Sequence, residues 1–185
     1  MFNPTMDTHL DISPVDFEKY ALRILRQQLQ GMENCLIEHN KTIEVSDGNY
    51  QIDGYIEFSL MGVNYKTLVE CKHYKGSIER EKVQVLFDKL RACGAQKGIL
   101  ISTSNFQSGA ITYATQHGIA LVQITESETR YHSRGSCNTL VPTQHKLQNE
   151  ELPYMGVKLA SYNEGITLNS YLSRTNLALR SFLES

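Results

Sequence analysis

Apolar residues recur at helical spacing from Phe17 to Leu29, with Phe17, Ala21, Ile24 and Leu25 on one stripe and Leu22, Leu25 and Leu29 on an adjoining one. That spacing predicts an amphipathic helix. Ser13 suits its N-cap, Pro14 its first position and Asp16 its third, and Gly31 suits a left-handed stop. Glu18 falls beside the second stripe, near the buried face. The period then shortens to two. Residues 35–45, 50–61 and 65–72 read as three strands, separated by Ser46-Asp47-Gly48-Asn49 and Gly62-Val63-Asn64. Connections this short predict an antiparallel meander.

The second half has a different pattern. Residues 78–93 predict a helix with Val83, Leu86, Phe87 and Leu90 on one face and Glu79 and Glu81 in its first turn, where the helix dipole favours them. Residues 98–102 and 119–124 are short, continuous apolar runs, the signature of strands buried on both faces. Between them Ser104 and Gln107 predict a capping box for a helix that carries Phe106, Ala110, Tyr113 and Ala114 and stops at Gly118. Alternation of helix and strand implies right-handed crossovers and parallel pairing. The expected order is α-β-β-β-α-β-α-β, an α/β fold with a mixed sheet and helices on both sides. Residues 126–151 are polar and read as loop or linker. Leu168, Tyr171, Leu172, Thr175, Leu179, Phe182 and Leu183 then predict an amphipathic C-terminal helix. The expected division is a core domain over 11–125 and a linker with a helical extension over 126–185.

Composition narrows this picture. No run of eighteen apolar residues exists in the 185-residue chain, so no membrane span is expected. The segment Met1 to Leu10 is polar and lacks the basic and apolar regions of a signal peptide. Cys35, Cys71, Cys93 and Cys137 form no Cys-x-x-Cys pair, which argues against a zinc knuckle or a disulfide framework. A reduced cytoplasmic protein is the expectation. The net charge of −2 does not by itself suggest a nucleic-acid partner. Its distribution does: residues 63–97 hold eight Lys or Arg against four Asp or Glu, so that segment carries +4 and the rest −6. A basic stretch beside carboxylates suits a phosphodiester substrate, and equally a solvated helix surface.

The candidate chemistry lies on two consecutive strands. Asp53 sits in Gln51-Ile52-Asp53-Gly54, and Glu70-Cys71-Lys72 follows after a turn. Side chains two apart on a strand share a face at about 6.6 Å spacing, so Glu70 and Lys72 point the same way, and Asp53 can join them if the strands pair. Asp53 and Glu70 are hard oxygen ligands suited to Mg²⁺ or Mn²⁺, and the carbonyl of Cys71 between them is a further candidate ligand. Lys72 can orient or help deprotonate a water, or stabilise charge on phosphorus. Plainer readings exist. Glu70 and Lys72 also fit an ion pair on an exposed strand, and Asp53-Gly54 also fits a turn.

With these residues in place, the segment from about Val15 to Thr125 resembles the PD-(D/E)XK nuclease superfamily, most closely its Mrr-like restriction endonuclease branch. The resemblance rests on Phe17-Glu18-Lys19-Tyr20-Ala21, Gln51-Ile52-Asp53-Gly54, Leu68-Val69-Glu70-Cys71-Lys72-His73-Tyr74, and the strand-helix-strand from Gly98 to Leu121. Ile52 stands where the family usually has proline. The resemblance implies a three-layer α/β/α restriction-endonuclease-like core, metal ligation by Asp53 and Glu70, and a catalytic Lys72. It also implies an accessory acid at Glu18, acting through water, and a glutamine near the site at Gln84. Glu18 and Gln84 fit ordinary helix-surface positions as well. His73, Tyr74 and Lys75, at the strand exit, are candidates for holding DNA phosphates.

The expected function is that of an Mg²⁺- or Mn²⁺-dependent DNA endonuclease in restriction, defence or repair. A non-catalytic DNA-binding or assembly module on the same fold, and a nuclease for RNA or branched DNA, are the alternatives. No separate sequence-reading module is evident, and cutting both strands of a duplex would suit a homodimer.

Overall fold

A computed structural model describes residues 12–126, 154–161, 167–172 and 176–185. The elements in chain order are α1 (Pro14–Gln28), β1 (Leu36–Val45), β2 (Gly48–Leu60), β3 (Val63–Lys72), α2 (Arg80–Cys93), β4 (Lys97–Ser102), α3 (Ser108–Gln116), β5 (Ile119–Glu126), β6 (Tyr154–Ser161), β7 (Thr167–Tyr171) and α4 (Ala178–Glu184). The strands form one seven-stranded sheet in sequential order. β1, β2 and β3 pair antiparallel, β3, β4 and β5 pair parallel, and β6 and β7 add antiparallel strands beyond β5. The mixed sheet and its two parallel crossovers are those predicted from the sequence.

Alternation along the central strands divides the core in two. Val69, Cys71, Ile99, Ile101, Ala120, Val122 and Ile124 pack with Phe17, Leu22 and Leu25 of α1 and Leu179 and Leu183 of α4. Leu68, Leu100, Ile119 and Leu121 face the other way, onto Val83, Leu86 and Leu90 of α2 and Ala110 and Ala114 of α3. Strands with both faces covered need apolar residues at successive positions, which is why β4 and β5 read as continuous runs. Helix starts follow local chemistry at α1, where the Ser13 hydroxyl accepts from the Asp16 N–H at 3.1 Å.

One predicted cap is not formed. α3 begins at Ser108 with Gln107 at its N-cap, and the Gln107 side chain makes no capping bond. The Ser104 hydroxyl donates instead to the Gly76 carbonyl at 2.7 Å. The Gln107 N–H that the box would give to that serine donates to the Ile78 carbonyl at 3.0 Å, tying the loops after β3 and β4 together.

The C-terminal helix is shorter than predicted. Residues 167–171 form strand β7, paired with β6 through Leu159↔Asn169 and Ala160↔Leu168, and helix begins only at Ala178. The spacing of Leu168, Tyr171 and Leu172 fits one helical turn, but a single turn gains little without a partner. The open edge of β6 offers a full ladder and wins. The predicted linker over 126–151 lies largely outside the described residues.

The β1–β2 hairpin changes face midway. His39 reaches Glu18 on the α1 side, whereas Lys41 lies over the Tyr55 ring, which packs on the α2 side with Ile43, Val45 and Ile52. The change falls at Asn40, whose φ is 54°, opposite Asp53 in the register. Asparagine tolerates this left-handed conformation better than other non-glycine residues. On β2, Gly54 lies inside the strand rather than in a turn. A Cβ there would stand 2.6 Å from Leu22 Cδ2, so glycine lets α1 pack directly against β2.

Candidate active site

β2 and β3 pair only as far as Gly54↔Val69. Beyond that point the N–H of Cys71 has no ladder partner on β2, and the Asp53 carboxylate takes its place, accepting from Cys71 N at 2.7 Å. In a strand, the N–H and C=O of one residue point to the same neighbour. The Cys71 carbonyl therefore faces the same margin as Asp53. The Cys71 side chain is buried in the α1-side core. Burial pushes its thiol well above its ordinary pKa, and the Asp53, Glu18 and Glu70 charges add to this, so the thiol is inert.

Glu70 and Lys72 share a face of β3, as period two requires. Glu70 is 6% exposed, and each of its oxygens is bonded to a different ammonium. Lys72 Nζ donates to Oε2 at 3.0 Å, and Lys89 Nζ, from α2, donates to Oε1 at 2.5 Å. Lys89 Nζ also donates to the Gln51 carbonyl on β2 at 3.2 Å. Lys89 is the site residue that the sequence did not reveal. Its signal was faint: on α2 it shares a stripe with buried Leu86 and Cys93, where a cation needs a partner.

Glu18 lies on α1 one turn before Leu22, the residue that packs against Gly54. Its Oε2 is 2.8 Å from His39 Nε2 on β1. His39 likewise escaped the sequence reading, because a lone histidine on a strand carries no spacing signal. Gln84 is half-buried on α2 and, among the described residues, makes no hydrogen bond with Asp53, Glu70 or Lys72. The strand exit is firmly braced. Tyr74 N donates to Thr103 Oγ1, Thr103 Oγ1 donates to the Tyr74 carbonyl, and Ser77 donates to Asn105. Tyr74 is exposed, the His73 ring lies tilted at 5.6 Å from that of Phe17, and both Tyr74 and His73 line a surface depression with Lys75, Ser77 and Lys82.

The electrostatics match this crowding. Burial raises the Asp53 pKa; the Cys71 N–H lowers it, the Glu70 and Glu18 charges raise it and Lys72 lowers it, with a net rise above the ordinary 3.8. For Lys72, burial lowers the pKa, but the charge and hydrogen bond of Glu70 and the charge of Asp53 outweigh it, so the net shift is upward from 10.5. Lys72 is thus a fixed cation at neutral pH. Among the described residues, no three His, Cys, Asp or Glu side chains form a metal-holding group. Two carboxylates and one carbonyl are what this margin offers.

Residues 9–127 match the model of a restriction endonuclease family, Mrr_cat, over more than half of the chain. The chain belongs to that family. It is an Mrr-like member of the PD-(D/E)XK nucleases. The Type IV methyl-directed restriction enzyme EcoKMrr of Escherichia coli (strain K12) is 28% identical over 118 residues, which are 63% of this chain and 37% of that enzyme. The chain therefore spans little more than a third of that relative's length. Among solved structures, a protein of unknown function aligns with TM-score 0.47 and 16% identity over 58% of this chain and 56% of the other. The DNA modification-dependent restriction endonuclease AspBHI aligns with TM-score 0.37 and 14% identity over 62% and 36%. No helix among the described residues is long and apolar enough to cross a membrane.

Proposed function

We propose that this Mrr-like domain hydrolyses phosphodiester bonds of DNA with a divalent metal ion, Mg²⁺ or Mn²⁺, at the β2–β3 margin. One observation carries the reading: where the ladder stops, Asp53 turns onto the Cys71 N–H beside Glu70 and Lys72. The residues suit a hard cation. The Asp53 carboxyl is disfavoured as an anion by burial and by the charges of Glu70 and Glu18, and a divalent ion would offset those terms. Asp53, Glu70 and the Cys71 carbonyl would hold it. When bound, the ion supplies a polarised phosphoryl oxygen and a water of lowered pKa.

The chain's own groups do the rest. Lys72, held protonated by Glu70, donates hydrogen bonds to a phosphoryl oxygen as its negative charge grows. Its hydrogen bond to Glu70 Oε2 at 3.0 Å aims the ammonium at the margin, where charge stabilisation is its role. Glu18 is steadied by His39 on one oxygen and offers the other to a water near Asp53. Gln84 is retained as a candidate neighbour of the substrate rather than of the carboxylates. His73, Tyr74 and Lys75, on the braced strand exit, hold flanking phosphates. The relative's methyl-directed activity makes modified DNA the substrate to try first. Among the described residues, Cys35, Cys71 and Cys93 are free, which fits a reducing cytoplasm.

The test is cleavage of methylated and unmethylated plasmid, and of linear, branched and single-stranded DNA and RNA, with Mg²⁺, Mn²⁺ or EDTA. Lys72→Ala is expected to lose at least about 100-fold in cleavage while keeping DNA affinity. Asp53→Ala is expected to lose metal binding and cleavage together. Full cleavage by both variants would remove the site from this margin.

A further inference from the structure

Glu70 has two cationic partners where the proposed chemistry uses one. Lys72 neighbours it on β3, but Lys89 arrives from another layer of the fold. Lys89 spans Glu70 Oε1 and the Gln51 carbonyl, two residues before Asp53, and so bridges β3 and β2 where their ladder has ended. The side chains of Glu70 and Lys89 are 7% and 21% exposed, which limits screening by solvent. Asp53 and Glu70 are balanced in charge by Lys72 and Lys89. Within that set a divalent cation meets no net negative charge, only the Glu18 carboxylate beside it, whose Oε2 lies 2.8 Å from His39 Nε2, and each Glu70 oxygen already carries an ammonium.

We propose that Lys89 is a resident cation that holds Glu70 in the metal-free protein and yields it to the divalent ion, so that Lys89 sets how tightly the ion binds. This rests on the metal-site reading above. The exchange breaks the Glu70–Lys89 ion pair and, as Lys89 leaves, its hydrogen bond to the Gln51 carbonyl; no proton or electron moves. Lys72 keeps Oε2 and stays in place, while Oε1 would become available to the ion. Lys89 is then free to leave the site toward solvent along its flexible stem. Its role is positioning: without metal, it keeps a buried carboxylate paired and the β2–β3 margin closed.

The experiment uses the full chain and Mn²⁺ as probe, read by paramagnetic titration of free ion and by thermal shift. Lys89→Met removes the competing charge and is expected to tighten Mn²⁺ binding at least about tenfold, given the size of a unit charge at close range. Its metal-free Tm should fall, and Mn²⁺ should restore more of it than in the wild type. Lys89→Arg keeps the charge and should bind like the wild type. In the wild type itself, amine acylation of Lys89 followed by mass spectrometry should speed up when Mn²⁺ is saturating, because the ammonium is released. That readout needs no variant to fold. Equal or weaker Mn²⁺ binding by Lys89→Met, or an acylation rate unmoved by Mn²⁺, overturns the role of Lys89 and leaves the nuclease reading standing. Absence of Mn²⁺ binding in the wild type and every variant overturns the metal site itself.

Discussion

The two edges of β3 are built by one strand and behave oppositely. On its β4 side the ladder runs to the last residue, with Lys72 opposite Ser102. On its β2 side pairing stops at Val69, and a carboxylate replaces the next backbone partner. The first edge is rigid and lined above and below by fully buried apolar residues such as Leu100 and Ile99. The second is held by charges that are paired only in part. The proposed site lies where the ladder ends on one edge while the other edge keeps the strand fixed. Chemistry needs that precision, because reacting groups misplaced by even a fraction of an ångström lose rate.

The comparison can be broken at either edge. The largest stability effect belongs to the rigid one. Leu100→Ala leaves a cavity under α2 and α3 and should cost about 3–4 kcal/mol in denaturant unfolding, while cleavage per folded molecule stays near wild type. Loss of cleavage without loss of stability would mean that the centre is not merely a support. Glu70→Ala, at the open edge, should cost about 2–3 kcal/mol, because Lys72 and Lys89 are left facing each other without their carboxylate. It should abolish cleavage as well.

Asp53 should answer in the opposite direction. Its carboxyl pKa is raised in the fold, chiefly by burial, so its ionised form is disfavoured. That penalty is absent below the ordinary 3.8 and grows as pH rises through the folded pKa. Asp53→Asn keeps an oxygen for the Cys71 N–H and should raise the Tm of the metal-free protein at neutral pH. The gain should vanish in melts below the ordinary carboxylate range. A destabilised Asp53→Asn at neutral pH would show that the margin stores no such repulsion. The smallest effect on the fold is expected at Lys75, on the exposed strand exit. Lys75→Ala should leave Tm unchanged, weaken DNA binding for all sequences alike, and reduce the salt slope by about one.

Much of this was written locally. Ser13 caps α1, alternation marks β2 and β3, and the runs at 98–102 and 119–124 announce strands covered on both faces. Asp53, Glu70 and Lys72 were legible too, since period two and a short connection bring them to one margin with no further information. Each of these signals depends on a residue and its neighbours within a few positions, which is the range over which backbone periodicity acts.

What the sequence did not determine needed partners distant along the chain. β7 is a strand because the edge of β6 is there to receive it, although Leu168, Tyr171 and Leu172 are spaced as on a helix. Ser104 does not cap α3 because the Gln107 N–H is taken by the carbonyl of Ile78, 29 residues earlier. Lys89 reaches Glu70 across 19 residues and His39 reaches Glu18 across 21, pairings that exist only once helices are laid on the sheet. Hydrogen bonds and ion pairs are satisfied by whichever group is nearest in space, and sequence order sets that distance only for neighbours. That Asp53, Glu70 and Lys72 meet at one margin was therefore readable from the chain, while the second charge on Glu70 was decided by the packing of α2.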